Sequence, residues 1–99
     1  MRATLLEAAT STGAGTTALP RATGVPKPNG LIQVILNSGT SASVDIEGSL
    51  DNTNWTTIYS VDLASGGVES DLREVYLPPY IRGNVTAISG ASVTANLSH

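Results

Sequence analysis

Apolar and polar positions alternate along most of this chain with a period of two, the spacing of a strand with one face on a core and one in water. The clearest case is Val44 to Leu50, where Val44, Ile46 and Gly48 share one face and Asp45, Glu47 and Ser49 the other. Ser92 to Leu97 repeats the pattern, with Val93, Ala95 and Leu97 opposite Ser92, Thr94 and Asn96. No window sustains an i, i+3, i+4, i+7 apolar pattern, so no substantial helix is expected. Turn-forming clusters interrupt the alternation at Ser11–Gly15, Gly24–Gly30, Asn37–Ser41, Asp51–Asn54, Ala64–Gly67, Pro78–Pro79 and Ser89–Gly90. Short strands between regularly spaced turns mark a sandwich or barrel.

The segments between those turns predict strands at Thr4–Thr10, Thr16–Leu19, Leu31–Leu36, Val44–Leu50, Trp55–Leu63, Leu72–Leu77, Tyr80–Ile88 and Ser92–Leu97. The dense apolar run Leu31–Leu36 reads as a buried central strand. Asp51-Asn52-Thr53-Asn54 makes the tight turn of a hairpin, since Asn and Asp tolerate the left-handed region. From Pro20 to Asn29 the chain carries Pro20, Pro26 and Pro28, which cannot donate to a ladder, so an extended arm or edge crossing is expected there. In the strand after the hairpin, strict alternation places Trp55, Thr57 and Tyr59 on one face, and the single Trp55 reads as core or core rim. The fold class is all-β: one small antiparallel sandwich of seven or eight short strands, either a jelly roll or an immunoglobulin-like Greek key. Residues 1–29 form an N-terminal strand and arm, and residues 30–99 the sandwich body.

Composition narrows the function. With 99 residues and no Phe, the core must be built from Val, Ile, Leu and Ala, which suggests that assembly into a homo-oligomer adds burial. There is no cysteine, so neither a disulfide nor a thiolate metal site is available. The net charge is −3, and the basic residues Arg2, Arg21, Lys27, Arg73 and Arg82 are dispersed. That disfavours nucleic acid, whose phosphates demand clustered cations, and equally an anionic membrane surface. No apolar run approaches a membrane helix, and Glu7 interrupts the short apolar start, so no signal segment is expected.

Catalytic chemistry is hard to find. The one histidine is the terminal His99, so a Ser-His-Asp triad or a zinc site is not expected. Asp45 with Glu47, and Glu69, Asp71 and Glu74, read as solvated faces and turns. Asp51, Asn52 and Asn54 carry oxygens that suit calcium, but calcium needs six to eight of them, and the hairpin turn accounts for these residues. No metal, cofactor or catalytic residue is assigned.

Val44-Asp45-Ile46-Glu47-Gly48-Ser49-Leu50-Asp51-Asn52-Thr53-Asn54-Trp55-Thr56 resembles a hairpin common in small β-sandwich proteins of tailed bacteriophages. Leu77-Pro78-Pro79-Tyr80-Ile81-Arg82-Gly83-Asn84-Val85, followed by Ser89-Gly90-Ala91-Ser92-Val93, is similar to their closing part. The resemblance covers roughly residues 30 to 98. It implies a virion structural protein made in the host cytoplasm, with capsid decoration (cement) the favoured role. Such proteins are usually homotrimers on the outer capsid surface, so the implied partners are further copies and the major capsid protein. The interface residues it suggests are Leu5, Leu6, Leu19 and Val25 of the N-terminal arm, the corner Pro78, Pro79 and Tyr80, and Arg82. Leu5, Leu6 and Leu19 read equally well as core. The alternative is a carbohydrate-binding or adhesion sandwich of a phage tail or fibre, with Asn52, Asn54, Trp55 and Tyr59 as the glycan site.

Overall fold

The computed structural model describes residues 2–18, 29–64 and 70–98. Eight strands follow one another: β1 (Arg2–Ala9), β2 (Gly13–Ala14), β3 (Asn29–Ser38), β4 (Ser41–Ser49), β5 (Thr56–Ala64), β6 (Ser70–Tyr76), β7 (Tyr80–Ser89) and β8 (Ser92–Ser98). They form two four-stranded sheets, in the orders β1-β8-β3-β6 and β2-β7-β4-β5. Every pairing is antiparallel. β1 pairs with β8, β2 with β7, β3 with β6 and β4 with β5, the pattern of one long hairpin rolled over on itself. That order is a jelly roll and rules out the immunoglobulin-like arrangement.

The core is aliphatic throughout. Ile32 and Val34 of β3, Val44 and Ile46 of β4, Ile81 and Val85 of β7, and Val93, Ala95 and Leu97 of β8 are all buried between the sheets. β3 sits between β8 and β6, as its apolar run predicts. Only one of its faces is buried, however, and Leu31 points outward. An antiparallel sandwich covers each sheet on one side, so the run Leu31–Leu36 exceeds what the core can take.

The N-terminal strands are part of this body. β1 is the outer strand of the first sheet and β2 of the second. Leu5 and Leu6 are 0% and 4% exposed, so they belong to the core and not to an interface. Strict alternation forbids two successive inward side chains. The register of β1 on β8 slips between Thr4 and Leu6 and again before Ala9, where Ala8 is left-handed at φ 46°. These irregularities turn both leucines inward. Gly83 of β7 makes room for Leu6, since a Cβ there would stand 3.0 Å from Leu6 Cδ1.

The second strand lies at Gly13–Ala14, ahead of the expected Thr16–Leu19. Gly13 and Ala14 pair with Val85 and Asn84. The Thr16 amide instead donates to the Leu5 carbonyl at 2.9 Å, turning the chain sideways onto β1. Ala18 returns to β7 with a reciprocal bridge to Ile81. Leu19 and most of the prolyl arm fall in 19–28, outside the described residues.

Two corners where the chain changes sheets lie against each other. Gly39, between β3 and β4, is left-handed at φ 101°, and a Cβ on it would overlap the Gly90 carbonyl and Ala91, between β7 and β8. Glycine is required there twice over, by conformation and by space.

Candidate functional site

The β4–β5 turn is built around two side chains. The buried Ser49 hydroxyl accepts from the backbone N–H of Asp51 and Asn52 at 3.2 and 2.9 Å, and donates to Asp51 Oδ1 at 2.9 Å. Asp51 Oδ1 accepts from the backbone N–H of Thr53 and Asn54 at 2.9 and 2.8 Å, and Oδ2 from the Asn54 amide at 2.7 Å. Asn52 takes the left-handed conformation at φ 62°. Of the oxygens weighed for calcium, both of the Asp51 carboxylate are thus held by the turn's own donors. The Asn54 and Thr53 amides, with the Asn54 and Ser49 side chains, hold the Asp51 carboxyl far below the usual carboxylate range.

This rigid turn projects Leu50 into solvent at 82% exposure. Beside it, the register of β5 on β4 jumps from Ile46↔Tyr59 to Glu47↔Thr57, leaving Ile58 as an extra residue. The Ile58 side chain lies over Gly48, 3.1 Å from where a Cβ on that glycine would stand, and shares its recess with Leu50 and Thr56. Tyr76, 76% exposed at the end of β6, and Leu77-Pro78-Pro79 close the other wall. Together with Gly48 they frame an open groove of about 380 Å³. A Cβ on Gly48 would stand 2.6 Å from Pro78 Cγ, so glycine lets the proline form the floor. Among the described residues no charged side chain lines the groove.

The outer face of the second sheet is its chemical opposite. Ser60 donates to its cross-strand neighbour Asp45 at 2.7 Å, and Ser43 to Asp62 at 2.6 Å. Arg82 faces Glu47 across β4–β7 with Nε 2.8 Å from Oε1, and its guanidinium lies 4.0 Å over the Trp55 ring. These are matched cross-strand pairs.

Of the interface residues expected from the sequence, Pro78 and Pro79 line the groove. Tyr80 is half-buried opposite Ser49, and Arg82 is engaged with Glu47 and Trp55. Leu5 and Leu6 are core, while Leu19 and Val25 lie outside the described residues. Leu50, Ile58 and Tyr76 were missed. Leu50 had a signal, as the one large apolar residue in an otherwise polar turn. Ile58 stood out as the apolar residue on the face of Thr56 and Ser60, but strict alternation did not bring it beside Gly48 and Pro78, which the bulge does.

The glycan constellation is not assembled. The bulge at Ile58 puts Tyr59 opposite the buried Ile46, on the inner face, whereas Trp55 lies on the outer face with Arg82. Trp55 is half-buried at the rim and takes no part in the core. The Asn54 amide is held by Asp51. Tyr59 instead packs at the core margin with the Arg73 guanidinium 4.5 Å over its ring. Among the described residues its buried hydroxyl has no hydrogen-bond partner, and burial, reinforced by the Asp71 charge, pushes its pKa up to about 12.

The fold defined by these sheets is an all-β jelly-roll sandwich. Among solved structures it is similar to PBSX exported protein XepA, with a TM-score of 0.66 and 20% sequence identity. The match covers 99% of this chain and 36% of XepA, so the chain spans about a third of that neighbour's length. At this identity the likeness is one of fold. No family model and no curated protein sequence matches the chain.

Two pH effects follow. The depressed Asp51 pKa contributes stability that is present above the unfolded carboxyl pKa of about 4 and is lost as pH falls below it. Thermal melts should therefore drop through the acid range less steeply for Asp51→Ala than for the native chain; parallel profiles would contradict the turn's role. The raised Tyr59 pKa works at the other end, with stability intact below about pH 10 and lost as pH rises toward 12. Tyr59→Phe removes both that alkaline loss and an unpaired buried hydroxyl, so it should melt at or above the native temperature and hold it further into alkali. A melt lowered by several degrees at neutral pH would show that the hydroxyl has a partner in solution.

Proposed function

We propose that this chain is a non-enzymatic virion structural module that decorates the outer surface of a phage capsid and stabilises the head. The observation that carries the reading is the groove of Leu50, Ile58, Tyr76, Pro78 and Pro79. Exposed apolar surface of this kind on a small domain marks a docking site. It lies in the region where the sequence resembles phage sandwich proteins, and the fold is similar to that of PBSX exported protein XepA. The second sheet's outer face offers the contrast, its carboxylates already matched by Ser60, Ser43 and Arg82. A protein that braces a shell needs a rigid body and an anchoring surface. The aliphatic core supplies the first and the groove the second. In this reading the apolar groove meets the major capsid protein, and the hydroxyl-rich acidic face looks outward.

The test is co-sedimentation with capsids that lack the protein. Leu50→Asp and Ile58→Asp each place a charge in the apolar contact and should weaken binding at least about tenfold. Asp62→Asn, on the outward face, should leave binding within about twofold of native. Equal binding by all three, with native melting curves, would remove the groove from the interface; loss with Asp62→Asn alone would move docking to the acidic face.

A further inference from the structure

A rolled sandwich leaves four edge strands, and each edge offers unpaired N–H and C=O groups to another chain. Three are blunted here. β1 carries two register slips and a left-handed Ala8. β2 is two residues long. β5 is broken by the bulge at Ile58. Among the described residues β6 is the exception. Ser70–Tyr76 runs along β3 through seven consecutive residue pairs without a slip, and it contains neither proline nor glycine. Its outward face carries Leu72, 64% exposed, and Tyr76, with Leu31 of β3 beside them.

We propose that β6 is a self-association edge, at which two copies of this chain pair antiparallel about a two-fold axis through Leu72 to make one continuous eight-stranded sheet. The charges on β6 select both partner and register. For two copies to continue one sheet with their cores on the same side, the axis must pass where a residue meets its own copy. Three such centres overlap five or more residues of β6: Leu72, Arg73 and Glu74. Centres on Arg73 or Glu74 set a charge directly against itself, which destabilises a sheet pair. The Leu72 centre instead sets Leu72 against Leu72 and Asp71 against the second copy's Arg73, twice by symmetry.

In the isolated chain Arg73 stacks on Tyr59 but closes no hydrogen bond to Asp71. Arg73 Nε is 3.6 Å from Asp71 Oδ2, too long for a hydrogen bond, and that oxygen is buried with no donor among the described residues. A buried acceptor without a donor is costly, and pairing brings a second guanidinium alongside. The contact is two-fold, in place of the three-fold arrangement the phage resemblance implies. It goes beyond the capsid reading and does not depend on it.

Sedimentation velocity over a concentration series tests this on the full chain. The native protein should show a monomer–dimer equilibrium. Leu72→Lys, which sets two ammonium groups against each other, should weaken the dimer at least about tenfold. Asp71→Arg should do the same, and adding Arg73→Asp should bring the constant back to within about threefold of native. Unchanged melts at low concentration confirm that each variant folds. A monomer at all concentrations would overturn the proposal. So would a trimer indifferent to Leu72→Lys, or a double variant that dissociates as readily as Asp71→Arg. Capsid binding is read separately, and retention of binding by a monomeric Leu72→Lys would separate this edge from the groove.

Discussion

Burial of aliphatic side chains between two sheets is the interaction on which everything else in this molecule depends. With no Phe and both Trp55 and Tyr59 outside the centre, the sheets meet through Val, Ile, Leu and Ala. Each fully buried Val, Leu or Ile contributes about 1.5–3 kcal/mol relative to exposure. No disulfide is available to supplement that, since the chain has no cysteine. The inward rotation of both Leu5 and Leu6 therefore matters out of proportion to its two residues. It joins the N-terminal strand to the core and fixes the positions of Gly15 and Gly83 around it.

The irregularities follow the same logic. A β-bulge shifts the side-chain phase by one residue, and this chain uses that shift twice in places that matter. In β1 it adds a second leucine to the core. In β5 it separates Trp55 from Tyr59, sending one to the outer face and the other inward, and frees Ile58 for the groove. The tight Ser49–Asp51 network then holds Leu50 against water, where a flexible turn would let it fold back.

Much of the fold was legible in the sequence because β4 and β8 alternate cleanly and their neighbours are bounded by strong turn residues. Seven of the expected strands lie within a few residues of those observed. The misplaced one, at Thr16–Leu19, depended on a long-range bond from Thr16 to Leu5 that local pattern does not encode. Strand order was open for the same reason, since pairing β1 with β8 joins opposite ends of the chain. The candidate site was half legible. Pro78 and Pro79 announced a corner, but the groove draws on β4, β5 and β6 together. Its apolar character appears only when Leu50, Ile58 and Tyr76 are brought side by side.

The picture is of a rigid sandwich with a hydrogen-bonded acidic face, one regular open edge and one uncharged apolar end. Such a division of surfaces suits a protein whose work is attachment. The direct measurement is hydrogen–deuterium exchange of the protein free and bound to capsids, resolved by peptide. Bound-state protection should concentrate in Gly48–Ile58 and Tyr76–Tyr80, with Ser41–Asp45 and Ala87–Ser89 unchanged. Protection confined to the strands that carry Asp45 and Asp62, with the groove segments exchanging as in the free protein, would contradict it.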